Sequence, residues 1–362
     1  MKLYLITGEP SGDIHASNLV SELKKIDNTI NIRAWGGENL IAQGVDIAQN
    51  INKTSYMGLW SVIKNLLSIL KLISFCKKDI LTFAPDALIL VDYPGFNLRI
   101  AKFAKQHGIK VFYYIPPKLW AWNKKRLIKI KKYVDEVIVV FPFEKSFYKK
   151  NGIDVLYMGN PILDQIEKSN FSFNYNSSKQ IIALLPGSRK QEIKAILPIM
   201  ISLVDSFKNY QFVIAATNTF SKNFYNSIIG NKNIDIVFNQ TYSLLKQSHA
   251  ALVTSGTASL EAALLNVPQV VCYKTNILTY IVASKLINIK FLSLVNILMN
   301  RLIVKELIQY DLNVKNLTLS LFEILDVDNR KNIHINYDLL RQKIGEEGSS
   351  KKLAEYIAKN TL

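Results

Sequence analysis

Short apolar runs alternate with helical patterns along the whole chain, and this alternation constrains the fold more than any other feature of the sequence. Runs such as Ala87–Val91 and Ile181–Leu185 are apolar at every position. A strand of that kind is buried on both faces, as in a parallel sheet that is covered by helices on both sides. Because the strand–helix alternation occurs twice over, we predict an α/β protein with two doubly wound, Rossmann-like domains.

The predicted elements fall into two sets, separated by a polar stretch, Glu167–Lys179, that has no regular hydrophobic period. We therefore predict a first Rossmann-like domain over residues 1–165, a second over residues 166–335 and a helical tail over residues 336–362. The predicted strands are Lys2–Thr7, Asn31–Trp35, Ala87–Val91, Lys110–Ile115, Glu136–Phe141, Asp154–Met158, Gln180–Leu185, Gln211–Ala216, Asp235–Phe238, Ala250–Thr254 and Gln269–Cys272. The predicted helices include Ser17–Lys25, Val62–Lys77, Leu98–Gln106, Gln191–Lys208 and Ser259–Leu265.

Composition narrows the class of partner. Hydrophobic residues make up 49% of the 362-residue chain, which is enough to fill the cores of folded domains. The 45 basic residues exceed the 28 acidic ones, and the net charge of +17 favours an anionic partner such as a phosphorylated substrate or an acidic membrane. An A/T-rich genome would also enrich lysine. The sequence carries no signature of an RRM, KH or helix-turn-helix module, so we do not expect nucleic acid as a partner.

Cysteine and histidine are sparse, which limits the chemistry that the chain can support. The two cysteines, Cys76 and Cys272, exclude a disulfide scaffold and fit a reducing, cytosolic compartment. The four histidines have no spacing typical of metal ligands, so we expect no metal site.

The apolar run at the N-terminus is too short for a signal peptide, and no apolar stretch is long enough to predict a membrane-spanning helix.

Two acidic residues follow predicted strands of the first domain. Glu9 lies in the turn Gly8–Asp13, where glycines allow a sharp bend and the helix that follows presents free N–H groups, including that of Ser11, to a ligand. Asp92 follows the apolar strand Ala87–Val91. Ligands bind at this edge of an α/β sheet, and a partly desolvated carboxylate there can act as a general base. A turn or helix-capping role is the alternative for both loops.

Two strand–loop–helix units of the second domain carry phosphate-binding features. Arg189, in the turn that follows Gln180–Leu185, can form a bidentate contact with a phosphate. The small loop of Ser255, Gly256 and Thr257 can cradle phosphate oxygens with its N–H groups, while Glu261, one helical turn later, can accept two ribose hydroxyls. The alternatives are a surface arginine beside a turn and a capping box.

Two segments favour a membrane surface. Met57–Lys78 is a lysine-interrupted apolar helix, and Lys118–Lys132 combines tryptophans with a cluster of basic residues. Such segments lie in the headgroup layer, where each basic residue adds about 1 kcal/mol near an anionic surface. A core helix and a solvated basic face are the respective alternatives. The residues predicted to contact the membrane are Trp60, Leu66, Leu67, Leu70, Trp120, Trp122, Lys124, Lys125 and Arg126.

A set of motifs occurs in one order along the chain: Gly8–Asp13, Met57-Gly58, Val91–Pro94, Trp120–Trp122, Leu185–Arg189, Ser255–Ala258 with Glu261, and Asn296 before Arg301, Lys305-Glu306 and Gln309. In combination, these motifs resemble those of the lipid-A-disaccharide synthase family. The resemblance runs from about residue 3 to about residue 310.

The resemblance implies a metal-free, cofactor-free GT-B glycosyltransferase with an active-site cleft between its two domains. It implies transfer of 2,3-diacylglucosamine from its UDP donor to 2,3-diacylglucosamine 1-phosphate, which yields the β-1,6-linked lipid A disaccharide 1-phosphate and UDP. It also implies a cytoplasmic enzyme, peripheral to the inner membrane, whose tail packs back on the first domain or is exchanged in a homodimer. The resemblance further implies that Met57 and Asn296 contact the substrate.

Two positions depart from the family pattern. Gly95 stands where a second acid often follows Asp92, which leaves Asp92 as the general base with Glu9 as its rival. Pro116-Pro117 stands where Ser-Pro is common, so a hydroxyl is lost there. The alternatives are another UDP-sugar GT-B enzyme, such as the undecaprenyl muropeptide transferase or a UDP-N-acetylglucosamine 2-epimerase, and a non-catalytic basic protein of the membrane surface.

Overall fold

The computed structural model describes residues 1–51, 66–119, 125–169, 171, 173–277, 280–281 and 290–361. The chain forms two compact units: Met1–Asp164 together with Glu346–Leu362, and Gln165–Gly345. The return to the first unit thus begins at Glu346, not at residue 336 as predicted. The reason is helix Val327–Ile344, which buries Tyr337, Leu340 and Ile344 within the second unit.

The first unit is built on a seven-stranded parallel sheet with the order β3-β2-β1-β4-β5-β6-β7. Its strands are β1 Lys2–Ile6, β2 Asn31–Gly36, β3 Asp46–Asn50, β4 Ala87–Val91, β5 Lys110–Tyr114, β6 Glu136–Val139 and β7 Leu156–Tyr157. Its described helices are α1 Pro10–Ile26, α2 Glu38–Ala42, α3 Leu66–Phe83, α4 Pro94–Gln106, α5 Lys125–Tyr133, α6 Pro142–Lys150 and α7 Pro161–Glu167, the last of which runs across the unit boundary.

The second unit is built on a six-stranded parallel sheet with the order β10-β9-β8-β11-β12-β13. Its strands are β8 Gln180–Leu185, β9 Tyr210–Ala216, β10 Asp235–Phe238, β11 Ser248–Thr254, β12 Gln269–Tyr273 and β13 Lys305–Ile308. Its described helices are α8 Lys190–Ile201, α9 Lys222–Ile229, α10 Thr241–Gln247, α11 Thr257–Leu264, α12 Leu294–Met299, α13 Val314–Leu325 and α14 Val327–Ile344. The prediction of two doubly wound α/β domains is confirmed.

The strand order reverses at one point in each sheet, and these points locate the ligand-binding edges. In the first sheet the reversal lies between β1 and β4, and in the second it lies between β8 and β11. Open α/β sheets bind ligands beyond the carboxyl ends of the strands at such a reversal. The loops that follow these four strands carry the predicted residues Glu9, Asp92, Arg189 and Ser255–Thr257.

The predicted elements differ from the structure mainly where tertiary contacts decide the outcome. Strand β5 ends one residue earlier than predicted because Ile115 has a positive φ of 56°. The helix predicted over Gln191–Lys208 ends at Ile201 and is followed by a short 3₁₀ turn, which lets Leu203 and Phe207 enter the core.

The last helix, α15 Ser349–Thr361, packs against α1 of the first unit. Its N-terminus is capped by Asp164, whose side chain accepts hydrogen bonds from the N–H groups of Gly348 (2.7 Å), Ser349 (3.1 Å) and Ser350 (2.7 Å). Asp164 is buried, with 2% of its surface exposed. A residue distant in sequence therefore satisfies the free donors that every helix start presents.

Replacing Asp164 with alanine should loosen helix α15 without unfolding either sheet. Loss of a capping side chain costs about 0.5–2 kcal/mol, and here the cost falls on the contact between α15 and the rest of its unit. Hydrogen exchange followed by mass spectrometry should show faster exchange across Ser349–Thr361, whereas Asp328→Ala, at an exposed position, should leave it unchanged. Unchanged exchange in the Asp164 variant would show that the cap does not hold the helix.

Candidate active site

The loop after β1 lies against the loop after β4. Glu9 is the N-cap residue of α1, and Pro10 occupies the first helical position. A Cβ on Gly8 would lie 2.1 Å from the Cγ atom of Tyr93, so only glycine lets the two loops approach this closely. The packing of Gly8 on Tyr93 therefore sets the position of Glu9 and Asp92 in the same part of the first unit.

Asp92 lies in a strained turn at the end of β4. Its φ is +48° and that of Tyr93 is +47°, a left-handed conformation that costs energy for residues other than glycine. The turn is held by hydrogen bonds to the Asp92 carbonyl oxygen from the Tyr113 hydroxyl (2.9 Å) and the Asn97 amide (2.7 Å). These bonds engage the main chain of Asp92 and fix the point from which its carboxyl group projects.

The environment of the Asp92 carboxyl group suits it to accept a proton near neutral pH. Burial and the nearby charge of Glu9 raise its pKa to about 6, while the Lys118 ammonium group opposes this shift. Burial in turn lowers the pKa of Lys118, against the attraction of the Glu144 and Asp92 carboxylates. A base works best when its pKa lies just below the working pH, because it is then ionised and still basic.

Two other residues of the Gly8–Asp13 motif have contrasting surroundings. Ser11 is exposed in the first turn of α1, where a ligand can reach it. Asp13 is buried and accepts hydrogen bonds from the N–H groups of Gly37 (2.6 Å) and Asn39 (3.0 Å). Asp13 therefore ties the start of α1 to the loop after β2 and has a structural role.

Arg189 is the N-cap residue of α8, at the reversal point of the second sheet. Its side chain is 64% exposed, and its guanidinium group lies 3.2 Å from the Glu192 carboxylate, whose side chain is 22% exposed. Exposed pairs of this kind contribute about 0–1 kcal/mol, so an anionic ligand can replace the glutamate at small cost. Gly187 has a φ of +100°, and a Cβ there would lie 2.7 Å from Glu192 Oε2.

The loop after β11 presents an open backbone surface. Gly256 and Thr257 are exposed, and no heavy atom lies within 4 Å of a Cβ placed on Gly256 among the described residues. Ser255 is fixed by a hydrogen bond from its hydroxyl to the Leu292 carbonyl oxygen (3.3 Å). The first turn of α11, which starts at Thr257, supplies N–H groups without intrahelical partners, as a phosphate site requires.

Glu261 lies in α11, next to a tyrosine that the sequence reasoning missed. Burial raises the pKa of Glu261 to about 7, and hydrogen bonds from Thr257 and Tyr242 partly offset that rise. The Tyr242 hydroxyl oxygen also lies 3.2 Å from Gln165 Oε1. Glu261 is thus a half-buried acceptor held in a defined orientation, which fits a role in binding hydroxyl groups.

Asn296 is buried and makes internal hydrogen bonds, while its predicted contact with substrate stays a prediction. Its amide nitrogen donates to the Val304 carbonyl oxygen (2.8 Å) and to Glu306 (2.7 Å), and its amide oxygen accepts from the N–H groups of Ile303 (2.7 Å) and Val304 (3.0 Å). Glu306 in turn accepts from the N–H groups of Leu292 and Ser293, both at 2.9 Å. Since the Leu292 carbonyl oxygen accepts the hydrogen bond of Ser255, this network supports the loop Ser255–Thr257.

A family model described as lipid-A-disaccharide synthetase matches residues 3–360 of the chain. The chain belongs to the lipid-A-disaccharide synthase family. Lipid-A-disaccharide synthase 1 of Legionella pneumophila strain Lens is 39% identical over 331 residues, which cover 88% of this chain and 86% of the relative. Lipid-A-disaccharide synthase of Syntrophus aciditrophicus strain SB is 35% identical over 364 residues, which cover 97% and 95%. The resemblance seen in the motifs is confirmed, and the chain is a glycosyltransferase of this family.

Solved structures of more distant proteins share the fold. A UDP-GlcNAc 2-epimerase from Neisseria meningitidis, bound to UDP-GlcNAc, matches with a TM-score of 0.68 at 17% identity and covers 99% of this chain and 100% of its own. The glycotransferase of kitacinnamycin matches with a TM-score of 0.69 at 11% identity and covers 99% and 98%. At these identities the likeness shows the fold alone, and that fold is the predicted GT-B type.

The apolar residues of the predicted membrane surface whose side chains the structure describes are exposed. On α3, Leu67 is 77% and Leu70 is 53% exposed, while Ile73, Cys76 and Ile80 enter the core. Ile128, on the outer face of α5, is 71% exposed. Helix α3 thus buries one face in the core and exposes leucines on the other, so it is neither a simple core helix nor a polar surface helix. Among the described helices, none combines the length and apolar composition needed to cross a bilayer.

Several predicted residues lie outside the described part of the chain. These residues are Met57, Trp60, Trp120, Trp122 and Lys124. Leu66 and Lys125 begin described helices, but their side chains also lie outside the description. Arg126 is half-buried at the start of α5. Among the described residues, no group of three His, Cys, Asp or Glu side chains is placed to hold a metal ion.

Proposed function

We propose that the chain transfers 2,3-diacylglucosamine from its UDP donor to 2,3-diacylglucosamine 1-phosphate. The products are the β-1,6-linked lipid A disaccharide 1-phosphate and UDP. The observation that carries this proposal is the family match over residues 3–360, which includes both ligand-binding edges. The chemistry of those edges supports it, because one presents a basic carboxylate and the other presents donors for a diphosphate.

Asp92 is the proposed general base. Its carboxylate accepts the proton of the acceptor 6-hydroxyl while the oxygen attacks the anomeric carbon of the donor. The new C–O bond forms as the bond from the anomeric carbon to the UDP oxygen breaks, which inverts the anomeric configuration. The pKa of about 6 leaves Asp92 largely ionised at neutral pH. Glu9, whose charge raises that pKa, orients the acceptor or competes for the role of base.

The second unit is the proposed UDP site. Arg189 and the loop Ser255–Thr257 bind the diphosphate, and Glu261 accepts hydrogen bonds from the ribose hydroxyls. Negative charge develops on the diphosphate as it leaves, and fixed cationic and N–H donors stabilise that charge more in the transition state than in the ground state. The exposed Arg189 and the open loop at Gly256 support this assignment.

Incubation with UDP-2,3-diacylglucosamine and 2,3-diacylglucosamine 1-phosphate tests the function. Mass spectrometry of the lipid should show the tetra-acylated disaccharide 1-phosphate and one UDP released per product. Release of UDP without a disaccharide, or an epimerised sugar nucleotide, would support another UDP-sugar enzyme of this fold. Binding of membranes with no turnover of either substrate would support the non-catalytic alternative.

The same proposal includes docking on the anionic inner leaflet of the inner membrane from the cytoplasmic side. Both substrates carry acyl chains, so an enzyme acting on them gains from contact with the lipid layer. Leu67 and Leu70 project from α3 beside the exposed Lys71, and Ile128 projects from α5 beside the exposed Lys129. Apolar side chains next to lysines are typical of a surface that enters the headgroup layer.

Replacing Leu70 with glutamate should weaken vesicle binding several-fold. The change removes apolar area from the docking surface and places a negative charge against anionic lipid. Flotation with vesicles that contain phosphatidylglycerol measures the bound fraction at several salt concentrations. Leu319→Glu is the matched control, because Leu319 is 54% exposed, as Leu70 is 53% exposed, but lies on α13 of the second unit. Equal flotation of both variants would contradict the assignment.

A further inference from the structure

A pocket of about 440 Å³ lies at the amino edge of the second sheet, opposite the edge that carries Arg189. Gln180 and Tyr210, the lining residues from the sheet, begin β8 and β9, and His249 lies at the start of β11. Helix α14 closes one side with Arg330 and His334. Strand β11 has seven residues, so roughly 20 Å separates the two edges.

Basic side chains dominate the pocket and its neighbour. A second pocket of about 400 Å³ shares Gln180, His249 and Arg330 with the first. The basic groups that line the two pockets are Lys179, Lys246, His249, Arg330, Lys331 and His334. None of the described lining residues of either pocket is an aspartate or a glutamate. The lining side chains thus carry no negative charge of their own, and one of them, Lys331, lies 3.2 Å from the Asp328 carboxylate.

Arg330 is the centre of this cluster. One of its guanidinium nitrogens donates to the His249 carbonyl oxygen (2.6 Å), and the side chain is half-buried. No carboxylate of the described residues forms an ion pair with it. A half-buried guanidinium group without a carboxylate partner retains donors that match the oxygens of a phosphate.

The basic groups of the pocket repel one another. Arg330 and His334 are four residues apart and so share one face of α14. Burial and the charges of Arg330 and His334 lower the pKa of His249, while burial and Arg330 lower that of His334 against the attraction of Asp338. His334 Nδ1 lies 2.7 Å from Asn266 Oδ1, and the His249 ring stacks on Tyr210. An anion among these groups would relieve the repulsion and favour the protonated imidazoles.

We propose that this pocket binds a multivalent phosphate anion through Arg330, with His249, His334 and Lys331 as further contacts, at a site separate from the proposed nucleotide edge. The guanidinium group supplies paired donors, and the flanking basic groups favour a dianion over a monovalent anion. Leu325 and Val327 form the apolar wall of the pocket, so a phosphate carried on a small organic group also fits its chemistry.

Histidine NMR tests the site directly because the chain has only four histidines. Inorganic pyrophosphate is added at constant ionic strength with UDP at saturation, so that the nucleotide edge is occupied. The His249 and His334 ring signals should shift saturably and their pKa values should rise, while exposed His107 of the first unit stays unchanged. No saturable shift, or an equal shift of His107, would overturn the proposal. Failure of UDP to bind would count against the proposed function but not against the proposed phosphate pocket.

Variants separate specific binding from general attraction to a basic protein. Arg330→Gln should weaken pyrophosphate binding at least ~10-fold, the typical loss for a charge-assisted hydrogen bond. Arg301→Gln, an exposed arginine of the same unit outside the pocket, is the matched control. The Lys331 side chain is 70% exposed, so Lys331→Gln does not endanger folding and should weaken pyrophosphate binding less than Arg330→Gln does. Equal affinities in all three variants would overturn the proposal.

The same phosphate chemistry has a soluble and a lipid-borne source, and two arms distinguish them. Flotation with vesicles of phosphatidic acid in phosphatidylcholine, compared between the wild type and Arg330→Gln, tests a lipid headgroup. Dependence of flotation on Arg330 identifies the lipid source. Binding of pyrophosphate with no such dependence identifies a soluble phosphate ligand.

Discussion

Replacing Asp92 with asparagine lowers turnover at least ~10²-fold while UDP binds with unchanged affinity. The loss follows from removal of the base, since positioned proton transfer contributes about 10²–10⁴-fold to a rate. UDP affinity is unchanged because the proposed nucleotide contacts all belong to the second unit. Calorimetry with UDP and a turnover assay on the same preparation measure the two quantities, and near-normal turnover would refute the role of Asp92.

The asparagine variant should remain folded, which makes its loss of activity interpretable. Asparagine adopts the left-handed conformation of residue 92 more readily than most residues. The folded state raises the pKa of Asp92 from 3.8 to about 6, so the aspartate costs stability as the pH rises through that range and above it. The variant should therefore melt no lower than the wild type at pH 8. Glu9→Gln serves as the comparison, and a larger loss of turnover there would assign the base to Glu9.

Replacing Arg189 with alanine weakens UDP binding by about 10–100-fold. A charge-assisted hydrogen bond contributes about 1.5–3 kcal/mol, and the exposed pair with Glu192 gives up little when the ligand binds. The variant also leaves Glu192 unpaired beside the diphosphate, which adds to the loss. Titration calorimetry with UDP measures the affinity directly.

Lys190→Ala is the matched control for Arg189→Ala. Lys190 is the next residue along the chain, is equally basic and is also exposed. It begins α8, whereas Arg189 caps it, so a general loss of positive charge would affect both variants alike. UDP affinity that falls in both variants, or in neither, would contradict a specific diphosphate contact at Arg189.

The sequence predicted the sheets well because their central strands are apolar at every position. Ala87–Val91 was predicted with its exact limits, since burial on both faces leaves no polar position to blur the pattern. The strands β3 and β13 were missed because polar side chains interrupt their apolar pattern, whereas β7 and β10, which also lie at sheet edges, were predicted. Edge strands face solvent on one side and carry polar residues, as Asp46–Asn50 and Lys305–Ile308 do.

The candidate site could be predicted where function depends on the end of a strand, and not where it depends on distant contacts. The structure places Asp92, Glu9, Arg189 and Ser255–Thr257 in loops at the strand-order reversals, yet their proposed roles stay predictions. Asn296 lies in the same motif set, but its side-chain amide donates a hydrogen bond to the main-chain carbonyl oxygen of Val304. No local pattern could show that, because its partners follow in a separate loop.

Tyr242 and Asp164 show the same limit. Tyr242 bonds Glu261 from a helix that lies 19 residues earlier (261 − 242), and nothing in its own surroundings marks it as a partner. Asp164 caps a helix that begins 185 residues later. Contacts of this kind join residues far apart in sequence, so the hydrophobic periods of about 3.6 residues for helices and two residues for strands cannot reveal them.

The pH dependence of the ratio of turnover between the wild type and Asp92→Asn tests the central claim most directly. The ratio isolates Asp92, because any effect of Glu261, whose pKa is about 7, is common to both proteins. The wild-type advantage should rise about tenfold per pH unit at low pH and level off above about pH 6, the pKa of Asp92. A ratio that stays constant from pH 5 to pH 8 would show that Asp92 is not the group that accepts the proton.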